Sequence, residues 1–188
     1  ASQTICSGTP VSITLSSNIP GAAVLWTGSN GNSGNTFTIN DSPINNGNSN
    51  LTVTYTINSS LNGCTGNTTF ATVTVRPNVT ADAGTDKSVT ACAGSCVTLG
   101  GSPSGAGGSG ALTYAWSPRT SLSDSTLANP VACNVAANTT YTLVVTDAQG
   151  CSATDAVTVN VLPSSLTAEA GSGGALCLGS GDSVTLGG

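Results

Sequence analysis

The sequence predicts an all-β chain of antiparallel sandwiches in tandem. Three observations lead there: apolar residues alternate with Thr and Ser at period two, no stretch keeps a helical period, and a domain-sized block recurs along the chain. The first strand pattern is 11–15, where Val11, Ile13 and Leu15 alternate with Ser12 and Thr14. In 51–57, Leu51, Val53, Tyr55 and Ile57 face one way and Thr52, Thr54 and Thr56 the other. The same reading applies to Leu112, Tyr114 and Trp116, to Tyr141, Leu143 and Val145, and to Val157, Val159 and Val161. One dry and one wet face per strand is the signature of an antiparallel sandwich. Val and Thr are also favoured on a pleated surface. Asn46-Gly47, Asn62-Gly63 and Gln149-Gly150 are turn signals and are expected to close hairpins. The plan is that of an immunoglobulin-like sandwich.

The repeat sets the domain organisation. TADAGTDKSVTACAGSCVTLGG at 80–101 returns as TAEAGSGGALCLGSGDSVTLGG at 167–188, 87 residues on. Residues 1–77 follow the plan more loosely: Cys6-Ser-Gly precedes VSITL, Trp26 parallels Trp116, Tyr55 parallels Tyr141, and Asn62-Gly63-Cys64 parallels Gln149-Gly150-Cys151. We therefore expect sandwiches at 1–77 and 78–163, with 164–188 opening a third, incomplete repeat. Because that opening stops after a strand-like VTL, the chain is expected to be part of a longer polypeptide.

Composition narrows the function. Charged residues make up 6% of the 188, against about a quarter in ordinary domains. Three Lys/Arg against eight Asp/Glu cannot neutralise a phosphate backbone, so no nucleic-acid partner is expected. With no histidine there is no Ser-His-Asp or Cys-His nucleophile system and no imidazole metal cluster. No apolar run approaches the ~20 residues of a membrane-spanning helix. Two small modules offer no cleft for paired carboxylates, and no catalytic residue is assigned.

Seven cysteines, at 6, 64, 92, 96, 133, 151 and 177, lack the paired CxxC spacing of zinc sites and read as disulfides of an oxidising compartment. Cys6 and Cys64 are the only thiols of the first module and pair by elimination. By parallel position Cys92 would pair with Cys151, leaving Cys96 and Cys133 as a second bridge. Four cysteines allow three connectivities, and the sequence alone does not choose among them. Cys177 matches Cys92 and has no partner within the 188 residues on this scheme; a reactive or chain-joining thiol is the alternative.

Gly105-Ala-Gly107-Gly108-Ser-Gly110 spells G-x-G-x-x-G, but a strand pattern follows where a dinucleotide site needs a helix, so it reads as a glycine loop. Trp26, Trp116, Tyr55 and Tyr141 are expected in the cores rather than as a sugar-stacking platform. Asp82, Asp86, Asp147, Asp155, Glu169 and Asp182 recur near junctions and hairpins; Asp82 and Asp86 are the candidate calcium ligands, solvated turn residues being the default. Six N-x-S/T triplets, starting at Asn40, Asn50, Asn58, Asn67, Asn78 and Asn138, carry meaning only in a glycosylating host. An ice-binding solenoid would need a far shorter coil period.

The run Ala81-Asp82-Ala83-Gly84, Cys92-x-Gly94, Val97-Thr98-Leu99-Gly100-Gly101, Tyr114-x-Trp116-Ser117-Pro118, Ala128-Asn129-Pro130 and Val145-Thr146-Asp147-x-x-Gly150-Cys151 resembles the PKD-like repeats of giant Bacteroidota surface proteins, gliding-motility adhesins among them. QTICSG, PGAAVLWTGS, TVTYTI and NGCTG are similar to a sister PKD-like type. The resemblance implies disulfide-stapled, immunoglobulin-like sandwiches, export by type IX secretion, and a non-enzymatic stalk, filament or adhesive array at the bacterial cell surface. Its implied partners are neighbouring repeats of the same chain, secretion and outer-membrane surface machinery, and surface glycans. The alternatives are spacer modules of a secreted polysaccharide- or protein-degrading enzyme, or a filament subunit that polymerises by strand donation.

Overall fold

The computed structural model describes residues 1–91 and 94–163, and among these every regular element is a β-strand. They fall into two compact units. Unit 1 takes Ala1–Val79 together with Gly107–Ala111 and Asp147–Cys151; unit 2 takes Thr80–Ala106, Leu112–Thr146 and the described residues from Ser152. The expected third repeat at 164–188, with Glu169, Cys177 and Asp182, lies outside the described residues, as does Cys92.

Unit 1 contains β1 (Ser2–Ile5), β2 (Ile13–Thr14), β3 (Ala23–Gly28), β4 (Ser33–Gly34), β5 (Thr38–Ile39), β6 (Leu51–Leu61), β7 (Cys64–Thr65) and β8 (Thr69–Val75). Its larger sheet runs β1-β8-β6-β3-β4 with β7 added to β6, and β2 pairs with β5 in a smaller sheet. The core lies between them: Ile13 and Ile39 of the small sheet share a buried cluster with Val24, Trp26, Val53, Tyr55, Val73 and Val75 of the large one. Each such burial contributes roughly 1.5–3 kcal/mol of transfer free energy. The alternating burial along β6 and β8 follows the Thr/apolar alternation. Leu51, at the start of β6, and Phe70, on the outward face of β8, are the exceptions and stay 41% and 59% exposed.

Unit 2 contains β9 (Val79–Ala81), which begins at the unit boundary, then β10 (Lys87–Thr90), β11 (Cys96–Thr98), β12 (Gly105–Gly107), β13 (Thr113–Ser117), β14 (Val131–Cys133), β15 (Thr139–Thr146) and β16 (Ser152–Leu162). Its main sheet runs β10-β16-β15-β13, with β11 paired to β14 and β9 to β12. The order β1-β8-β6-β3 of unit 1 thus recurs as β10-β16-β15-β13. In unit 1 β1 lies parallel to β8, Ile5 opposite Val75, and in unit 2 β10 lies parallel to β16, Val89 opposite Val161, so the sheets are not wholly antiparallel. Trp116, Tyr141, Leu143, Val145, Val157 and Val159 are buried.

Two turn expectations need correction. Asn62-Gly63 does close a hairpin between β6 and β7, with φ of 49° and 81°, the left-handed pair of a type I′ turn. Asn46-Gly47 does not: it lies in the crossover from β5 to β6, strands of different sheets. There Asn45, 4% exposed, organises the loop by donating to Ser49 O and Val75 O at 2.8 Å each. The glycine run is not simply a loop either, since Gly105–Gly107 forms β12. Gly107 has φ +73°, and a Cβ there would collide with the carbonyl oxygen of Asn78.

Candidate functional site

The disulfides depart from the expected scheme. Cys6 bonds to Cys151, not to Cys64, with a Cα–Cα distance of 5.6 Å. Cys151 is therefore not available to Cys92, and among the described residues Cys64 is an exposed free thiol. Strand length explains this. Cys6 follows Ile5, which pairs with Val75, and Val75 pairs in turn with Leu51 at the near end of β6. Cys64 pairs with Leu61 at the far end of that 11-residue strand. At ~3.3 Å per residue the two thiols stand roughly 30 Å apart, far beyond the Cα–Cα limit of about 7 Å for a disulfide. Cys96 and Cys133 are bonded, directly opposite each other across β11 and β14 with Cα atoms 4.1 Å apart.

Around Cys151, unit 1 builds a tight polar turn. Asp147, 5% exposed, accepts from Gln149 N (2.9 Å) and Cys151 N (2.8 Å) through Oδ1, and from Ser109 N (2.8 Å) through Oδ2. Arg76 Nη1 donates to Gln149 O at 3.1 Å, and Gly108 N donates to Asn78 O at 2.9 Å. Burial alone would raise the Asp147 carboxyl, but the three amides and the Arg76 charge outweigh it and hold the group below the usual carboxylate range. Three of the carboxylate's roughly four acceptor positions are taken by backbone amides, so Asp147 anchors the turn that carries Cys151.

A second carboxylate hub sits beneath an open depression of about 590 Å³ lined by Pro10, Val11, Asn32, Ser33, Asn40 and Ser42. Asp41 accepts from Tyr55 Oη (2.5 Å), Asn30 Nδ2 (2.7 Å), Asn32 Nδ2 (2.6 Å) and Ser42 N (2.7 Å). Desolvation pushes its pKa up, yet the four donors bring it below its ordinary value. Both oxygens are occupied, which leaves no basic lone pair for proton transfer.

The candidate ligands Asp82 and Asp86 are each engaged by one backbone amide: Gly84 N reaches Asp82 Oδ1 at 2.8 Å and Thr158 N reaches Asp86 Oδ1 at 2.9 Å. Asp155 Oδ2 accepts from Ala83 N at 2.7 Å. Among the described residues no three of His, Cys, Asp or Glu gather as a metal site. Trp26, Trp116, Tyr55 and Tyr141 are each 2% exposed or less. Trp26 meets Tyr55 edge to face with ring centroids 5.8 Å apart. Reading the sequence missed Asp41 and gave Arg76 no role. An Asp followed by Ser-Pro in a polar stretch looks solvated, and only the crossover of β5 brings Asn30, Asn32 and Tyr55 onto it.

The two depressed carboxyls fix the sign of the acid response. A group whose folded pKa lies below its unfolded value of about 3.9 contributes stability above that pH and loses it as pH falls through the folded pKa. The urea midpoint should therefore hold down to about pH 4 and then decline. Asp41→Asn and Asp147→Asn should each lower the midpoint at pH 7 and flatten the decline. A wild-type midpoint that rises on acidification would contradict both assignments.

With this geometry in place, comparison with known proteins is informative for the first unit. Residues 3–79 match the model of the PKD-like domain family. The matched residues coincide with unit 1 apart from the two turns contributed at Gly107–Ala111 and Asp147–Cys151. No curated protein matches the chain in sequence. Among solved structures the chain is similar to the I-band fragment I67-I69 of titin, at 13% identity and TM-score 0.34, over 87% of this chain and 62% of that one. It is similar to human mucin-like protocadherin EC1-2 at 15% identity and TM-score 0.32, over 87% and 96%. Sidekick-1 immunoglobulin domains 1–5 match at 13% identity and TM-score 0.36, over 90% and 41%. The chain thus spans about three fifths of the titin fragment. No helix among the described residues is long and apolar enough to cross a membrane, and the two disulfides belong to an oxidising, extracellular-type environment.

Proposed function

We propose that the chain is a non-enzymatic, load-bearing spacer of an extracellular adhesive array, exported to the bacterial cell surface and built from PKD-like sandwiches in series. The observation that carries this reading is the covalent path through the Cys6–Cys151 bond. Tension applied at residues 1 and 163 runs from Ala1 to Cys6, crosses to Cys151 and leaves along β16. The intervening residues, 145 positions in sequence separation, stay outside the load. The PKD-like match over 3–79 and the recurring strand order support a repeated spacer rather than a single receptor head. The interior carboxylates, spent on holding turns, fit a structural purpose.

Single-molecule stretching from the two ends tests the proposal. The oxidised chain should reach its limit without releasing the length stored between Cys6 and Cys151. After reduction that segment should extend by roughly 500 Å, at 3.3–3.6 Å per residue. Unfolding steps of that size in the oxidised chain would remove the mechanical role.

A further inference from the structure

The two units share one strand register. Trp26 pairs with Ile57 as Trp116 pairs with Leu143, and Tyr55 pairs with Ala71 as Tyr141 pairs with Val157. Leu15 N donates to Phe37 O as Leu99 N donates to Pro130 O, in each case just past a strand pair, Thr14–Thr38 and Thr98–Val131. Ser16 therefore matches Gly100, and Thr69 matches Asp155. In unit 2 the residues leading into β10 lie between those two positions. Ala83 N donates to Asp155 Oδ2 at 2.7 Å, and Ala83 O accepts from Gly100 N at 3.0 Å. Asp82 O accepts from Gly101 N at 2.9 Å. Ala83 and Leu99 are both 0% exposed. The next residue, Gly84, has φ +82°, and a Cβ there would stand 2.8 Å from Gly100 O.

Unit 1 leaves the matching place open. Ser16 and Thr69 border a cavity of about 190 Å³ whose lining includes Leu15, Val24, Ile57, Ser59 and Ala71. Pairing of β1 with β8 begins at Thr72, so residues 69–71 have β6 on one edge and, among the described residues, no strand on the other. Leu15, the counterpart of the fully buried Leu99, is only half-buried. The walls are also lighter: Val24, Ser59 and Ala71 stand where unit 2 has Tyr114, Val145 and Val157. We infer that this groove docks one extended strand of a second polypeptide, seated as 80–84 is seated in unit 2. The strand lies parallel to β8, on the line of β1 ahead of Ala1, with its backbone against Ser16 and Ser17. Its residue at the Ala83 position is a branched aliphatic, which fills the space the lighter walls leave, and a glycine follows. The runs of this form within the chain, at 80–84 and 167–171, carry alanine there and fill the cavity less well, which makes another polypeptide the partner. The inference holds or fails independently of the load-bearing role.

The test titrates the isotope-labelled full chain with acetylated, amidated peptides Val-Thr-Ala-Asp-X-Gly, where X is leucine, valine or alanine. The leucine and valine peptides should bind saturably and about tenfold more tightly than the alanine peptide, the effect of burying roughly two further methylenes. Amide shifts should centre on Leu15, Ser16, Ile57 and Phe70 and spare Leu99. Ala71→Val gives the groove a wall residue of unit 2 and should erase the preference for the larger side chain. Ser59→Val should do the same from a half-buried position, where the fold tolerates it more readily. Equal binding of the three peptides, no saturation at millimolar peptide, or shifts centred elsewhere would overturn the assignment. Self-association of the chain alone through the same amides would overturn the choice of partner, making the occupant a second copy.

Discussion

Replacing Cys6 and Cys151 together by serine should lower the stability of unit 1 by about 2–5 kcal/mol. The bond spans 145 positions, and by the chain-entropy argument a loop that long sits near the top of that range. The double substitution avoids leaving one thiol to find Cys64. Its effect should appear in native-state hydrogen exchange of the β6 and β8 amides, which belong to unit 1, more than in β15. Stability alone does not identify the partner, because a Cys6–Cys64 loop would contribute nearly as much; chain entropy grows only with the logarithm of loop length. A tryptic digest without reductant does. Trypsin cuts after Lys87 and Arg119 but not after Arg76, which precedes Pro77. Cys6–Cys151 ties peptide 1–87 to peptide 120–188, whereas Cys6–Cys64 would let 1–87 go free. Release of 1–87 from the unreduced digest would refute the bond and with it the force path built on it.

The contrast between those two pairings shows what the sequence made legible. Period-two alternation identified β6, β13, β15 and β16 because inward Val, Tyr and Leu beside outward Thr is a local property of one pleated strand. It also placed Tyr55 on an inward position, where it meets the core Trp26 edge to face. Partner choice between cysteines is a property of strand length and direction in the folded sheet. Counting thiols within a module assumes each repeat closes on itself. The 11 residues of β6 separate Cys64 from Cys6, and the Asp147-capped turn brings Cys151 there instead. Gly105–Gly107 escaped for a related reason: glycine carries no strand signal in its side chain, and only the approach of the Asn78 backbone requires it. Asp41 was invisible because its side-chain donors, Asn30 and Asn32 in one loop and Tyr55 in β6, come from stretches far from it in sequence.

Trp26→Ala and Trp116→Ala should each cost about 3–5 kcal/mol, the range for removing a large aromatic from a closed core. Both indoles are 2% exposed, so neither cavity opens to solvent at the surface. The phenylalanine variants should separate the two sites. Trp116 Nε1 donates to Leu127 O at 3.0 Å, and Trp116→Phe removes a made hydrogen bond. Leu127 is 48% exposed and its carbonyl can recover water, which limits that loss to about 1 kcal/mol beyond the packing change. Trp26 Nε1 is buried without an acceptor among the described residues. Its ring lies against the β4 backbone, where a Cβ on Gly34 would come within 2.5 Å of Trp26 Cζ2. Trp26→Phe therefore deletes a desolvated donor worth roughly 1–3 kcal/mol of penalty, which offsets part of the lost contact. Urea denaturation of the two variants should show Trp26→Phe as the milder by about 1–2 kcal/mol. Equal losses, or a harsher Trp26→Phe, would mean that the indole N–H of unit 1 is satisfied in solution and that packing against Gly34 alone keeps tryptophan at this position.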